Sequence, residues 1–114
     1  MLPDAGDIAW VEFDPIRGTE QAGRRPALLL SSRVYHEVSP RAVVCPITRT
    51  DRNWPFAVAL PLGYQTQGFV LLDQVRTVDR PERLFGTIEK VSPDFLAEIR
   101  ERLAAFLGIP MDAA

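Results

Sequence analysis

The apolar residues of this chain fall in short blocks set apart by glycine, proline and charged residues, and the blocks differ in their period. Residues 7–13 (D-I-A-W-V-E-F) are rich in β-branched and aromatic side chains and stop at Asp14-Pro15, which predicts a strand followed by a turn. A polar loop over 16–23 carries Gly18 and Gly23, which allow backbone conformations that other residues avoid. Residues 26–32 are apolar with almost no alternation, the pattern of a strand buried on both faces. A short helical turn is predicted over 34–39, ended by Pro40, and a third strand over 42–48, where Pro46 points to a sheet edge or a bulge. After a polar turn at 51–54, Phe56, Val58 and Leu60 alternate with alanines. One long strand is predicted over 68–78, interrupted by Asp73-Gln74, and a last strand over 84–91.

A different period begins at Ser92. Serine at the N-cap, Pro93 at the first helical position and Asp94 in the first turn together start a helix. Phe95, Leu96, Ile99, Leu103, Phe106 and Leu107 form its apolar stripe, and Gly108 ends it. Six or seven short strands with one amphipathic C-terminal helix predict a mainly β (α+β) fold, a small, mostly antiparallel, barrel-like sheet. With 114 residues, 46% of them hydrophobic, the chain is long enough to bury its own core, and a single domain over 1–114 is expected.

Charge adds an asymmetry that the net value of −2 hides. Between Arg17 and Arg52 seven arginines stand against only Glu20, Glu37 and Asp51. Every basic residue except Lys90 is arginine, whose planar fork suits bidentate contact with phosphate, although a biased genome composition gives the same excess. Cys45 is the single cysteine, which excludes an intrachain disulfide and, in A-V-V-C-P-I, reads as a buried structural thiol rather than a nucleophile. One cysteine and one histidine make no zinc site. No apolar run has the length of a membrane span and M-L-P-D-A-G-D carries no signal-peptide pattern, so the expected location is cytoplasmic.

A polar residue inside an apolar strand costs stability unless it is paired or reaches the surface, so such interruptions mark candidate chemistry. They occur at Glu20-Gln21 with Arg24-Arg25, at Thr48-Arg49, at Asp73-Gln74 and at Arg76-Thr77. If the sheet brings these strand ends together, Arg25 can supply charge-assisted hydrogen bonds to a phosphoryl group and Thr48 a hydroxyl to a neighbouring oxygen. Structural readings stand beside these: Arg25 paired with Asp73 or Glu20, Thr48 capping a turn, Asp73 and Gln74 bonding loop backbone. His36, the only histidine, lies in V-Y-H-E-V away from these clusters and is expected at the surface of a short turn. Trp10 and Trp54 are expected in the core, with Trp54 in R-N-W-P-F also suited to stacking on a base.

These residues belong to longer motifs: G-D-I-A-W-V-E-F-D-P, R-G-T-E-Q-A-G-R-R-P-A-L-L-L-S, V-V-C-P-I-T, W-P-F-A-V and L-L-D-Q-V-R-T-V-D. In this order, over about residues 6–108, they resemble the MazF/PemK toxins of bacterial toxin–antitoxin modules. The resemblance implies an SH3-like barrel assembled as a homodimer, and a sequence-selective endoribonuclease that cuts single-stranded RNA without a metal or other cofactor. It implies attack of the ribose 2′-OH on the adjacent phosphate, leaving a 2′,3′-cyclic phosphate and a 5′-OH. Arg25, before the proline of G-R-R-P, and Thr48, after the P-I strand, match the family's catalytic pair. Thr19, Glu20, Gln21 and Arg24, with Arg49, Asp73 and Gln74, match positions along the RNA groove. The expected partner is a MazE-like antitoxin whose acidic, disordered tail folds into the same groove.

The PemK-like branch carries a histidine in the first loop and an arginine two residues before the D-Q aspartate; here Thr19 and Leu71 stand there, so the chain resembles the MazF-like branch. Glu20 and Asp73 are then the candidate general bases, because an arginine with a pKa above ~12 does not give up its proton. Specificity is assigned to the loops at 50–55 and 61–68. Two alternatives remain open: a toxin of the same fold that binds a protein such as DNA gyrase without catalysis, and a module that only binds nucleic acid or antitoxin.

Overall fold

The computed structural model describes residues 1–13, 23–51 and 53–111. The strand at Asp7–Phe13 (β1) has the predicted bounds. It pairs on one side with Gly23–Leu29 (β2) and on the other with Leu84–Lys90 (β7). β2 continues into Arg41–Thr48 (β3), whose far edge serves two partners in turn: Arg76–Asp79 (β6) and Phe69–Leu71 (β5). Ala57–Ala59 (β4) closes the order β4-β5-β3-β2-β1-β7, with β6 beside β3. All the pairings are antiparallel, which bears out the seven-stranded sheet. The expected barrel stays open as a hydrogen-bonded ladder, because among the described residues no pairing joins β4 to β7.

Both faces of the sheet are buried, as the unbroken apolar run of β2 requires. Ile8, Leu28, Cys45 and Ile47 lie on one face with Phe95 and Ile99 of the helix Pro93–Leu107 (α3). Ala9, Val11, Phe13, Ala27, Leu29 and Val44 lie on the other, where Val78 of β6 and Leu84 of β7 reach them. α3 is capped as its sequence dictates: Ser92 Oγ accepts from Phe95 N–H at 3.1 Å, and Gly108 leaves the helix in the left-handed region. Only the first half of its apolar stripe is covered, since Phe106 and Leu107 are exposed. No helix among the described residues is long and apolar enough to cross a membrane.

Four expectations are corrected. The strand predicted at 26–32 starts earlier, at Gly23, because Arg24 and Arg25 pair across to Glu12 and Val11 at an end of the sheet where charge stays in contact with water. The predicted 68–78 strand is two strands joined by a 3₁₀ turn at Leu72–Gln74, closed by Val75 N–H on Leu72 O at 3.3 Å. Pro46 sits at neither an edge nor a bulge. It stands in the central strand β3, between the residues that pair with β6 and those that pair with β5, where a missing N–H breaks no ladder.

The fourth correction is an exchange. His36, on the short helix Arg33–Val38 (α1), is 3% exposed, whereas Trp10 is 42% exposed. His36 Nδ1 faces Pro3 O at 2.8 Å and so donates to it, while Nε2 lies 2.8 Å from Ser31 Oγ, which accepts from Val43 N–H at 2.9 Å. These bonds tie the N-terminal segment to β3, a structural task for the buried ring. A short helix at Arg80–Arg83 (α2), too brief to show a period in the sequence, joins β6 to β7.

Candidate active site

Ile47 of the cluster that holds Ile8 and Leu28 also lines a groove of about 480 Å³, to which no residue of α3 contributes. Trp10 and Pro26, opposite one another on β1 and β2, both line it. Its cationic wall comes from Arg24 and Arg25 on β2 and from Arg49 just past β3, with Thr48 at the strand's last position. The structure thus brings Arg25 and Thr48, far apart in sequence, to one cleft.

Each of these side chains is set by its surroundings. Arg25 is half-buried and engaged with its neighbours. The Arg24 guanidinium lies 3.8 Å from the centroid of the Phe85 ring, a cation–π contact that fixes its direction. Thr48 is 4% exposed, and its Oγ1 accepts from Thr50 N–H at 3.2 Å, which leaves the hydroxyl proton to be donated into the groove. Its backbone is held by Gly68: a Cβ at that glycine would lie 2.2 Å from Thr48 O, and φ is +129°. Only glycine permits this approach.

The rest of the polar lining, Gln65, Thr66 and Gln67, was missed at residue level because polar loop residues carry no period. The only signal in the sequence was the polar run Y-Q-T-Q ahead of Gly68. The loop is anchored to β7, where Glu89 Oε1 accepts from Gln65 N–H at 3.0 Å and Oε2 from Thr66 N–H at 2.7 Å. Burial raises the Glu89 carboxyl, but its Thr66 and Gln65 contacts outweigh burial and hold it below the usual carboxylate range. The Thr66 hydroxyl, beside this carboxylate, stays short of hydrogen-bond geometry, so the two backbone N–H groups carry the effect.

Other candidates lie elsewhere. Asp73 and Gln74 do not line the groove; Asp73 accepts from Trp54 Nε1–H at 2.9 Å. That bond holds the Trp54 ring, 47% exposed rather than in the core, edge-on to Phe56 with centroids 5.6 Å apart. Arg76 turns toward the Phe13 ring, 5.6 Å from its centroid. Thr19, Glu20 and Gln21 lie outside the described residues. Cys45 is buried, and burial with the nearby Asp73 charge pushes its thiol up to about 12, so it is no nucleophile. Among the described residues no three His, Cys, Asp or Glu side chains cluster as metal ligands.

Residues 4–107 match the family described as PemK-like, MazF-like toxin of type II toxin–antitoxin system. The chain belongs to that family. This MazF-like chain is 37% identical over 109 residues to the endoribonuclease toxin MazF of Escherichia coli, covering 94% of this chain and 96% of that one. It is 26% identical over 114 residues to endoribonuclease EndoA of Bacillus subtilis, covering 96% and 97%. Among solved structures, MazF of Deinococcus radiodurans superposes with a TM-score of 0.88 at 39% identity, covering 96% of this chain and 99% of that one. A MazE–MazF structure from the same organism gives a TM-score of 0.84 at 37% identity, covering 96% and 100%.

Proposed function

We propose that this chain is the endoribonuclease toxin of a type II toxin–antitoxin pair, cutting single-stranded RNA in the Arg25–Thr48 groove. The observation that carries this reading is the convergence of three guanidinium groups and the Thr48 hydroxyl on a single cleft in a MazF-like chain. In-line attack of a ribose 2′-OH on the neighbouring phosphate builds a crowded phosphorane with extra negative charge. Arg25, held by its neighbours, stabilises that charge at the moment it develops, and the Thr48 hydroxyl donates to a phosphate oxygen. The products are a 2′,3′-cyclic phosphate and a 5′-OH end. The arginines supply positive charge of the kind a metal supplies in other nucleases, so the step proceeds in EDTA.

The described residues lining the groove include no carboxylate and no imidazole, and Asp73 is bonded to Trp54. Of the two candidate bases, Asp73 is thus engaged away from the groove, and Glu20 lies outside the described residues. The chain acts as a homodimer, and its antitoxin is MazE-like with an acidic segment that fills the cationic groove; the similar D. radiodurans chain is found in a MazE–MazF structure.

The test is incubation of the purified protein with mixed-sequence single-stranded RNA in EDTA, with the cut ends mapped and Arg25→Ala alongside. Cuts at a short motif with 5′-OH ends, absent in the variant, are expected. No cutting by folded wild-type protein would overturn the ribonuclease and turn attention to a protein target such as gyrase.

A further inference from the structure

The groove is chemically divided. Its lining holds two kinds of group, the cations Arg24, Arg25 and Arg49 and the neutral, exposed Gln65 and Gln67. Two successive backbone N–H groups make an anion site wherever they point together into a cleft. At Gln65 and Thr66 that pair exists, but each N–H already donates to one oxygen of Glu89, at 3.0 and 2.7 Å. A phosphate cannot take these donors without displacing a carboxylate, and the carboxylate's own charge repels it. Phosphates are therefore directed to the arginines, and what the RNA presents to the glutamines is its bases.

We propose that Glu89 is a positioning residue that fixes Gln65 and Gln67 as the base-reading wall of the groove. This rests on the ribonuclease reading above and narrows the specificity assigned to the 61–68 loop to two side chains and the carboxylate that holds them. A glutamine amide offers a donor and an acceptor in one plane, which matches the edge of an unpaired base, whereas it has no charge to offer a phosphate. Reading an edge requires that the amides be held before the RNA arrives, and the loop is tied at three points. Leu60 N–H donates to Gly68 O at 2.9 Å and closes its neck. Tyr64 Oη accepts from Ser92 N–H at 2.8 Å and binds it to the start of α3. Glu89 holds the two residues in between, those nearest the base-reading side chains. Loss of the carboxylate frees the middle of the loop while both ends stay fixed.

The experiment compares cut-site spectra on one mixed-sequence single-stranded RNA pool for wild type, Glu89→Ala, Glu89→Gln, Gln65→Ala and Gln67→Ala, each with its melting temperature. kcat and KM are measured on the oligonucleotide that wild type cuts best. Each glutamine variant is expected to relax one base position by about ten- to a hundred-fold. Glu89→Ala relaxes the same positions together, mainly through KM, and Glu89→Gln, keeping one acceptor oxygen, falls between. A uniform rate loss in Glu89→Ala at an unchanged motif would overturn the inference. Should Glu89→Ala fail to fold, the exposed glutamine variants decide, and an unchanged motif in both overturns it as well. Wild type that cuts nothing brings down the ribonuclease itself, a result distinct from wild type that cuts alongside variants with an unaltered motif.

Discussion

Arg25 and Thr48 stand on strands, where Arg25 is paired with Val11 and Thr48 with Phe69, whereas Gln65 and Gln67 stand on a loop held by one carboxylate, one tyrosine hydroxyl and a glycine neck. The two walls face the same groove but differ in what fixes them. A strand position in mid-sheet moves only if its ladder breaks, so groups that must meet a developing charge within a fraction of an ångström are placed there. A loop position can be changed without unfolding the sheet, which suits the part of the site that chooses among sequences.

The sharpest way to break this division is Arg25→Ala. Cleavage is expected to fall by roughly 10³-fold or more with the cut motif of any residual activity unchanged, as read by end mapping of long incubations. A variant that cuts well at altered sites would show that the cationic wall reads sequence too. Thr48→Val keeps the shape and removes the donor; a loss of about 10²-fold in kcat is expected, with about 1 kcal/mol of stability lost because Thr50 N–H loses its acceptor. Stopped time courses and denaturant melts measure the two effects separately.

Gly68→Ala tests the joint between the walls. A Cβ 2.2 Å from Thr48 O, at a φ of +129°, forces the two segments apart, and about 2–3 kcal/mol of stability should go with it. Because Thr48 moves, kcat should fall along with selectivity; if either changed alone, the coupling would be refuted. The smallest effect concerns acid. Glu89 is held below the usual carboxylate range in the folded protein, so its contribution is present above the pKa of an unfolded-chain glutamate and disappears as pH falls through the lower folded value. Wild type should therefore lose stability more steeply than Glu89→Gln as pH drops below about 4, in melts followed at constant ionic strength.

Much of this was legible in the chain itself, and the failures have physical causes. β1 was read to the residue because its side chains favour strand locally and Asp14-Pro15 stops it. α3 was legible from Ser92-Pro93-Asp94 to Gly108 because capping is a short-range property. The segment 68–78 was misread because Asp73-Gln74 looks the same in the sequence whether it interrupts a strand or forms the turn between two. Trp10 and His36 were assigned opposite burials because burial depends on which element covers a residue, and Trp10 lines an open groove to which α3 contributes nothing. Arg25 and Thr48 were found through motifs, and the 61–68 loop was assigned to specificity as a whole, but nothing in Gln65, Thr66 or Gln67 singles them out from their neighbours until Glu89, far along the chain, is seen holding them.

The pairing of β1 with β7 also sets an order on synthesis. β1 lies between β2, the next described strand along the chain, and β7, some seventy residues later, and Lys90 Nζ donates to Ala5 O at 3.2 Å and pairs with Asp7 at 3.1 Å. One edge of β1 therefore waits unpaired until residues 84–90 have emerged. Ile88 lines the groove and Glu89 holds its loop, so a nascent chain that has already made Arg25 and Thr48 still lacks the finished cleft.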